Sequence, residues 1–319
     1  MTTDTSTTGT TQQATQQATE TGGGATGTTI GVLLPVPAGG LDDAALDAAA
    51  EEARTRGCGI ELAHVVHVTI GVPASSDQVR QVDSSLGEVG RRVLTAAADG
   101  LRERLGDDVP VTSELFFGPV VATLVERSAG AEVVFLPRRD LGRLERLVTS
   151  SVSNGVAARA HVPVLSVPPG WRRSPTRPRI VTAAVDHPET SGAAEIGCAL
   201  ERAAATGAAL HVLRAAWVPQ PYQGVVFQDQ TREELLIEAR RELEDATRHL
   251  VDAHPEVSVT WDVVWERPVD ALVRASHRSE LLVLGRRHPS LPVGSHLGPV
   301  ARSVLRHSEG PVMVVETGE

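Results

Sequence analysis

Lysine does not occur in this chain of 319 residues; all 30 of its permanently cationic side chains are arginine. A Walker-type phosphate loop, a Schiff-base lysine and a lysine nucleophile are excluded by that alone. Cysteine is scarce too, Cys58 and Cys198 lying far apart without a companion. Neither a disulfide framework nor a cysteine zinc site fits that pair, whereas a reducing cytoplasm does. No apolar run approaches the ~18 residues that a membrane span needs. The first residues carry neither the charged nor the apolar region of a secretion signal, so a cytoplasmic location is expected. Basic clusters longer than two or three residues are missing as well, and the net charge is −10. Nucleic acid and membrane are therefore not expected as partners. HExxH and paired Cys/His spacings are also missing, so no metal site is expected in the protein itself.

What remains suffices for two globular domains, with 41% hydrophobic residues to build a core in each. Residues 1–28 are almost wholly Thr, Gln, Gly, Ala and Ser; such a tract cannot bury enough surface to order itself and reads as a disordered tail. Gly22, Gly24 and Gly27 have dinucleotide-fingerprint spacing there. They follow a polar tract rather than a strand, so the match is chance.

From Ile30 the pattern alternates. Strands are expected at Ile30–Leu34, Ile60–Val68, Val111–Phe117, Val133–Leu136 and Val162–Val167, with helices at Asp42–Arg56, Asp77–Leu105, Pro119–Ala129 and Val152–Ala160. Strand and helix in strict alternation predict a parallel, doubly wound α/β sheet with right-handed crossovers. Residues 168–179, PPGWRRSPTRPR, break the alternation with four prolines and four arginines and read as a linker. The alternation then restarts as a repeat. Glu132–Leu136 corresponds to Glu280–Leu284 and His161–Val164 to Glu309–Val312, both at an offset of 148 residues, and His64–Val65 matches His211–Val212. The chain is expected to be two copies of one domain, residues 29–167 and 180–316. Their last strands, Val162–Val167 and Pro311–Val315, are apolar edges that need a cover. They are expected to pair with each other as an intrachain pseudo-dimer.

The stretch Leu281–Val315 carries the chemistry. An apolar run ends at Gly285, a loop with Pro289, Pro292 and Gly294 follows, and Gly298-Pro299 opens a helical run through Val300, Val304, Arg306 and His307. Proline suits the first helical position. Strand, glycine, loop and helix start together make an anion-binding arrangement, because the helix N-terminus offers N–H groups and glycine lets a ligand approach the backbone. An ordinary strand-to-helix connection would look the same.

These residues resemble the universal stress protein family of the UspA type. That family carries an Asp after its first strand, a G-x2-G-x9-G-[S/T] motif after its fourth, and a last strand led by Pro-Val. Here Val185-Asp186-His187-Pro188, Gly285, Gly298 and Pro311-Val312 stand at those places, with His288 at the second glycine and Pro299 at the Ser or Thr. The resemblance implies two Rossmann-like α/β domains. It also implies an adenine-nucleotide site, ATP with its accompanying Mg, lined by Asp186 and its neighbour His187, by Val212, and by Gly285, Arg286, Gly298, Pro299 and Val300. Pro299 takes a hydroxyl and an N–H from the phosphate cradle, so a weak site is expected. In the first copy Pro137, Asp140, Ser150 and Ser151 occupy the motif positions and Pro35 or Val36 the place of Asp186; no nucleotide is expected there.

Other candidates have plainer readings. Arg286 and Arg287 could reach phosphates or be a solvated loop pair. His64 and His67 lie on opposite faces of a strand and read as packing residues. Ser295 and His296 lack the G-x-S-x-G setting of a hydrolase elbow. Trp217, Tyr222 and Phe227 sit in a long loop that serves as a lid or an interface patch. The sequence thus points to a stress-response regulator with a nucleotide site in the second domain, or to an interaction module that keeps only the fold. No nucleophile is assembled with a base, so an enzyme is not expected, beyond slow ATP hydrolysis in a binding site. A homodimer of tandem chains fits either reading.

Overall fold

The computed structural model describes residues 30–67, 76–138, 152–188, 192–218, 221, 231–287 and 297–317. In the first half β1 (Ile30–Pro35), β2 (Ile60–Val66), β3 (Val111–Phe117), β4 (Ala131–Pro137) and β5 (Val164–Val167) alternate with α1 (Asp43–Arg56), α2 (Ser76–Leu105), α3 (Val120–Ser128) and α4 (152–157). The second half repeats the series. Its strands are β6 (Ile180–Ala184), β7 (Ala209–Ala216), β8 (Val259–Trp265), β9 (Leu281–Arg287) and β10 (Val312–Thr317). Its helices are α5 (Gly192–Thr206), α6 (Arg232–Val251), α7 (Pro268–Ser276) and α8 (Pro299–His307).

Local chemistry sets these boundaries. Asp42 caps α1 by accepting the Ala45 N–H at 2.7 Å, and Gly57 ends that helix in the left-handed region, φ 65°, where a Cβ would be strained. Thr231 and Glu234 form a reciprocal capping box at the start of α6. β5 is shorter than the Val162–Val167 expected from sequence, beginning after Pro163, which has no N–H for the ladder.

All ten strands form one sheet in the order β3-β2-β1-β4-β5-β10-β9-β6-β7-β8. Every neighbouring pair is parallel except β5 and β10, which run antiparallel with Val312 opposite Ser166, Met313 opposite Leu165 and Val314 opposite Val164. Each half is therefore doubly wound, and the last strands of the halves meet at the centre. Two apolar layers cover the sheet and each runs through both halves. One packs α1, α2, α5 and α6 against residues such as Phe135, Leu165 and Met313; the other packs α3, α4, α7 and α8 against Val134, Val164 and Val314. Because the inner strands are buried on both faces, they read as near-continuous apolar runs rather than alternations, whereas the edge strands β3 and β8 are half-buried or exposed and carry polar residues.

Two arginines cross the centre. Arg138, at the end of β4, donates from Nη1 to the Leu305 carbonyl at 2.6 Å and from Nη2 to that of Ser308, at the C-terminal end of α8. Arg286, 148 residues later in β9, donates from Nη1 to the Ala158 carbonyl at 2.6 Å and from Nη2 to that of Ala160, just past α4. Each half thus supplies the cation that satisfies orphaned carbonyls at the end of the other's last helix. The linker is held as well: Trp171 packs on the core, Arg172 pairs with Asp47, and Arg177 donates to the His277 carbonyl at 2.9 Å.

Candidate functional site

In each half the strand order reverses between the first and fourth strands, β1 beside β4 and β6 beside β9. A ligand crevice belongs at the carboxyl ends of strands at such a point. In the second half Ala184 pairs with Leu284, which brings Asp186 and Gly285 to neighbouring strand ends. Asp186 is exposed, and the His187 ring nitrogen Nε2 lies 3.6 Å from its Oδ2. Gly298 caps α8 in extended conformation (φ −62°, ψ 163°) with no side-chain hydrogen bond, and the space beside its Cα is open. Pro299 is the first residue of α8. The first-turn N–H groups of a helix have no intrahelical partner, and proline brings none. Val300 is half-buried against the apolar layer and contributes packing.

Two expected site residues are placed elsewhere by the fold. Arg286 is buried, and besides the Ala158 and Ala160 carbonyls its guanidinium holds Glu316 Oε2 at 2.8 Å. That set occupies the fork and turns it into the sheet's centre, so Arg286 is not a phosphate ligand here. Burial lowers its affinity for its proton, an effect Glu316 opposes. Val212 is 0% exposed within the core beneath α5 and α6 and presents no surface to an adenosine.

The structure adds Glu195, which sequence reasoning missed. It lies in the first turn of α5 and is 4% exposed, and its Oε2 has no hydrogen-bond partner among the described residues. It stands directly behind Gly285: a Cβ on that glycine would lie 2.2 Å from Glu195 Oε1 and 2.4 Å from Thr317 Cγ2. Close approach is what demands glycine at this position. Burial pushes the Glu195 carboxyl up to about 7, helped by the nearby charge of Asp186. A signal for it existed in the sequence, because Gly192, Glu195, Ile196, Ala199, Leu200 and Ala203 form a single helical stripe that is otherwise free of charge.

At the matching point of the first half, Pro35 and Val36 offer no acid. The Val36 carbonyl instead meets buried His64 Nδ1 at 2.7 Å, and His67 Nδ1 lies 3.1 Å from the Gly118 carbonyl. Trp217 is partly exposed with the Arg267 guanidinium 5.2 Å above its ring. Tyr222, Phe227, Asp140, Ser150, Ser151, His288, Pro289, Pro292, Gly294, Ser295, His296 and the glycines of residues 1–28 lie outside the described residues. Among the described residues no group of three His, Cys, Asp or Glu could hold a metal, and no helix is long and apolar enough to cross a membrane.

Two doubly wound units joined at their last strands, each with a strand reversal between its first and fourth strands, define a tandem α/β protein of the Rossmann-like class. The universal stress protein family model matches residues 32–168 and 178–316, and the chain belongs to that family. Two universal stress proteins of Mycobacterium tuberculosis (strain ATCC 25618 / H37Rv) are each 28% identical to it. The first aligns over 315 residues, 90% of this chain and 95% of its own length; the second over 292, 89% and 96%. A universal stress protein of Archaeoglobus fulgidus shares the fold, with a TM-score of 0.61 at 18% identity over 90% of this chain and 97% of its own.

Proposed function

We propose that the chain is a stress-response regulator that works in the cytoplasm and binds one adenine nucleotide, ATP, weakly and in its second half only. The observation that carries this reading is the exposed Asp186 beside Gly285 at the strand reversal, an acid for which the first half has no counterpart. Asp186 accepts from the ribose hydroxyls, and the open start of α8 at Gly298 faces the phosphates. Weakness follows from three features. Pro299 adds no donor, Arg286 is committed to Ala158, Ala160 and Glu316, and the buried Glu195 carboxyl stands behind Gly285. Each missing hydrogen bond to a charged phosphate costs about 1.5 to 3 kcal/mol. Binding rather than turnover is the activity, with any Mg brought by the nucleotide.

Isothermal titration with ATP then gives at most one site per chain. Asp186→Ala abolishes the heat, and Pro299→Ser tightens binding about tenfold, the equivalent of one modest charged hydrogen bond. Two equal sites, or binding untouched by Asp186→Ala, would place the pocket elsewhere. The commitment of Arg286 to the centre favours a second reading, an interaction module without nucleotide. That reading expects no heat at millimolar ATP and no gain from the serine.

The halves, in this proposal, act as an intrachain pseudo-dimer. Expressed separately, residues 29–167 and 180–316 would each expose an apolar edge, β5 or β10, and leave the end of a helix uncapped. Sedimentation of the isolated halves is expected to show association or precipitation. Soluble monomers at high concentration would contradict it.

A further inference from the structure

A cavity of about 1280 Å³ opens at the carboxyl ends of β1, β2, β4 and β5, and the C-terminal end of α8 from the other half forms one of its walls. Four buried side-chain polar atoms have no hydrogen-bond partner among the described residues. Three of them, Arg138 Nε, Ser166 Oγ and Ser308 Oγ, belong to residues that line this cavity. Ser166 is 2% and Ser308 4% exposed. Orphaned polar atoms are rare in native interiors, and three around one space indicate a polar occupant.

The charge of that occupant follows from comparing the halves. Arg286 has Glu316 at 2.8 Å as well as its two carbonyls. Arg138 has the two carbonyls, but position 168, which is 148 residues before Glu316, is proline. A helix C-terminus offers about half a negative charge, so among the described residues the Arg138 guanidinium lacks the full anion that its counterpart possesses. Burial pushes it down to about 10, and no carboxylate opposes the shift. Among the described residues the one acid lining the cavity is Glu309, which is held by His277 Nδ1 at 2.9 Å, while Arg302 and Arg306 add exposed positive charge. The lining also includes apolar Val89, Val120, Leu124 and Val152, besides His64, His67 and Asn154.

We propose that this cavity binds an organic carboxylate with an apolar body, the carboxylate lying among Arg138 Nε and the hydroxyls of Ser166 and Ser308 and the body against Val89, Val120 and Leu124. The ligand supplies to Arg138 what Glu316 supplies to Arg286. The site is separate from the nucleotide reading of the second half and does not depend on it.

Decanoate serves as the probe, with decanol as its uncharged match, both titrated calorimetrically into the full chain below micellar concentration. Decanoate is expected to bind at one site per chain, and decanol at least tenfold more weakly. Arg138→Gln is expected to weaken decanoate at least tenfold. Should that variant fail to fold, Pro168→Glu decides. It places a carboxylate in cis beside Arg138, as Glu316 stands beside Arg286, and is expected to lower decanoate affinity at least tenfold while the thermal midpoint holds or rises. Equal affinity for decanoate and decanol overturns the proposal, and that comparison needs only the wild type. Full affinity in a folded Pro168→Glu, or displacement of decanoate by ATP or inorganic phosphate, overturns it as well.

Discussion

Replacing Glu52 by alanine is expected to cost about 3 to 5 kcal/mol of unfolding free energy at pH 7, the range for removing one partner of a buried ion pair. Glu52 comes from α1 of the first half and is almost wholly buried; its Oε1 accepts from Arg202 Nη2 of α5, in the second half, at 2.5 Å and from Arg56 Nε at 2.6 Å. Truncation strands the guanidinium of Arg202, itself largely buried, between the halves without its hydrogen-bonded carboxylate, leaving only the weaker charge of Glu280 nearby. Burial alone would raise the carboxyl, but the charges and hydrogen bonds of Arg202 and then Arg56 outweigh it and hold it below its ordinary 4.5. A carboxyl depressed in the folded state stabilises above its unfolded pKa and loses that contribution as the pH falls through the folded value. Wild-type stability should therefore decline below pH ~4.5, and Glu52→Ala should flatten that limb. Denaturant unfolding of both proteins between pH 3 and 8 measures it. A loss under about 1 kcal/mol would equate the pair with an exposed surface bridge.

Glu195→Gln should do the reverse, stabilising the protein at pH 8 and leaving it unchanged near pH 4. The Glu195 carboxyl is raised to about 7 from its ordinary 4.5, with burial as the main cause. The folded state thus holds its proton more tightly than the unfolded chain does. Its contribution is intact below pH 4.5 and is lost as the pH climbs through the folded value. At roughly 1.4 kcal/mol per pKa unit, the ionised form costs the fold on the order of 3 kcal/mol above pH 7. Glutamine keeps the shape without the charge and removes most of that loss. Thermal midpoints of the two proteins at pH 5 and pH 8 test it; a wild type no less stable at pH 8 than at pH 5, or a glutamine variant no better at pH 8, would show that Glu195 is ionised at little cost. The two acids act at opposite ends of the pH range, so the double variant should show the flattest profile.

The architecture was open to reading because its signals are local. Apolar runs bounded by Gly and Pro marked the strands, alanine-rich periodic tracts marked α1 and α2, and the 148-residue offset exposed the duplication. The candidate site was legible only where local signals set it, as with Gly298-Pro299 at a helix start; the strand expected to end at Gly285 runs on through Arg286 and Arg287, which pair with Glu316 and Thr317. Arg286 could not be placed that way, since its carbonyl partners lie 128 and 126 residues away and a loop arginine beside a glycine looks the same whichever way it turns. Val212 failed for a related reason: in a sheet buried on both faces, a family position gives the residue but not its exposure. Glu195 was there to be found, as an acid on an apolar helical stripe.

One short helix has a consequence for both halves. The nine residues of α8 span about 14 Å, from Gly298 near the strand reversal of the second half to Leu305 and Ser308, whose carbonyls Arg138 grips beside the cavity of the first. Ala301, Val304 and Leu305 anchor the helix between these ends in the apolar layer. It is a rigid rod with one tip at each compartment. Were a ligand at one tip to tilt the rod, the other tip would move with it, and by thermodynamic reciprocity any effect of the first site on the second would be returned in equal measure.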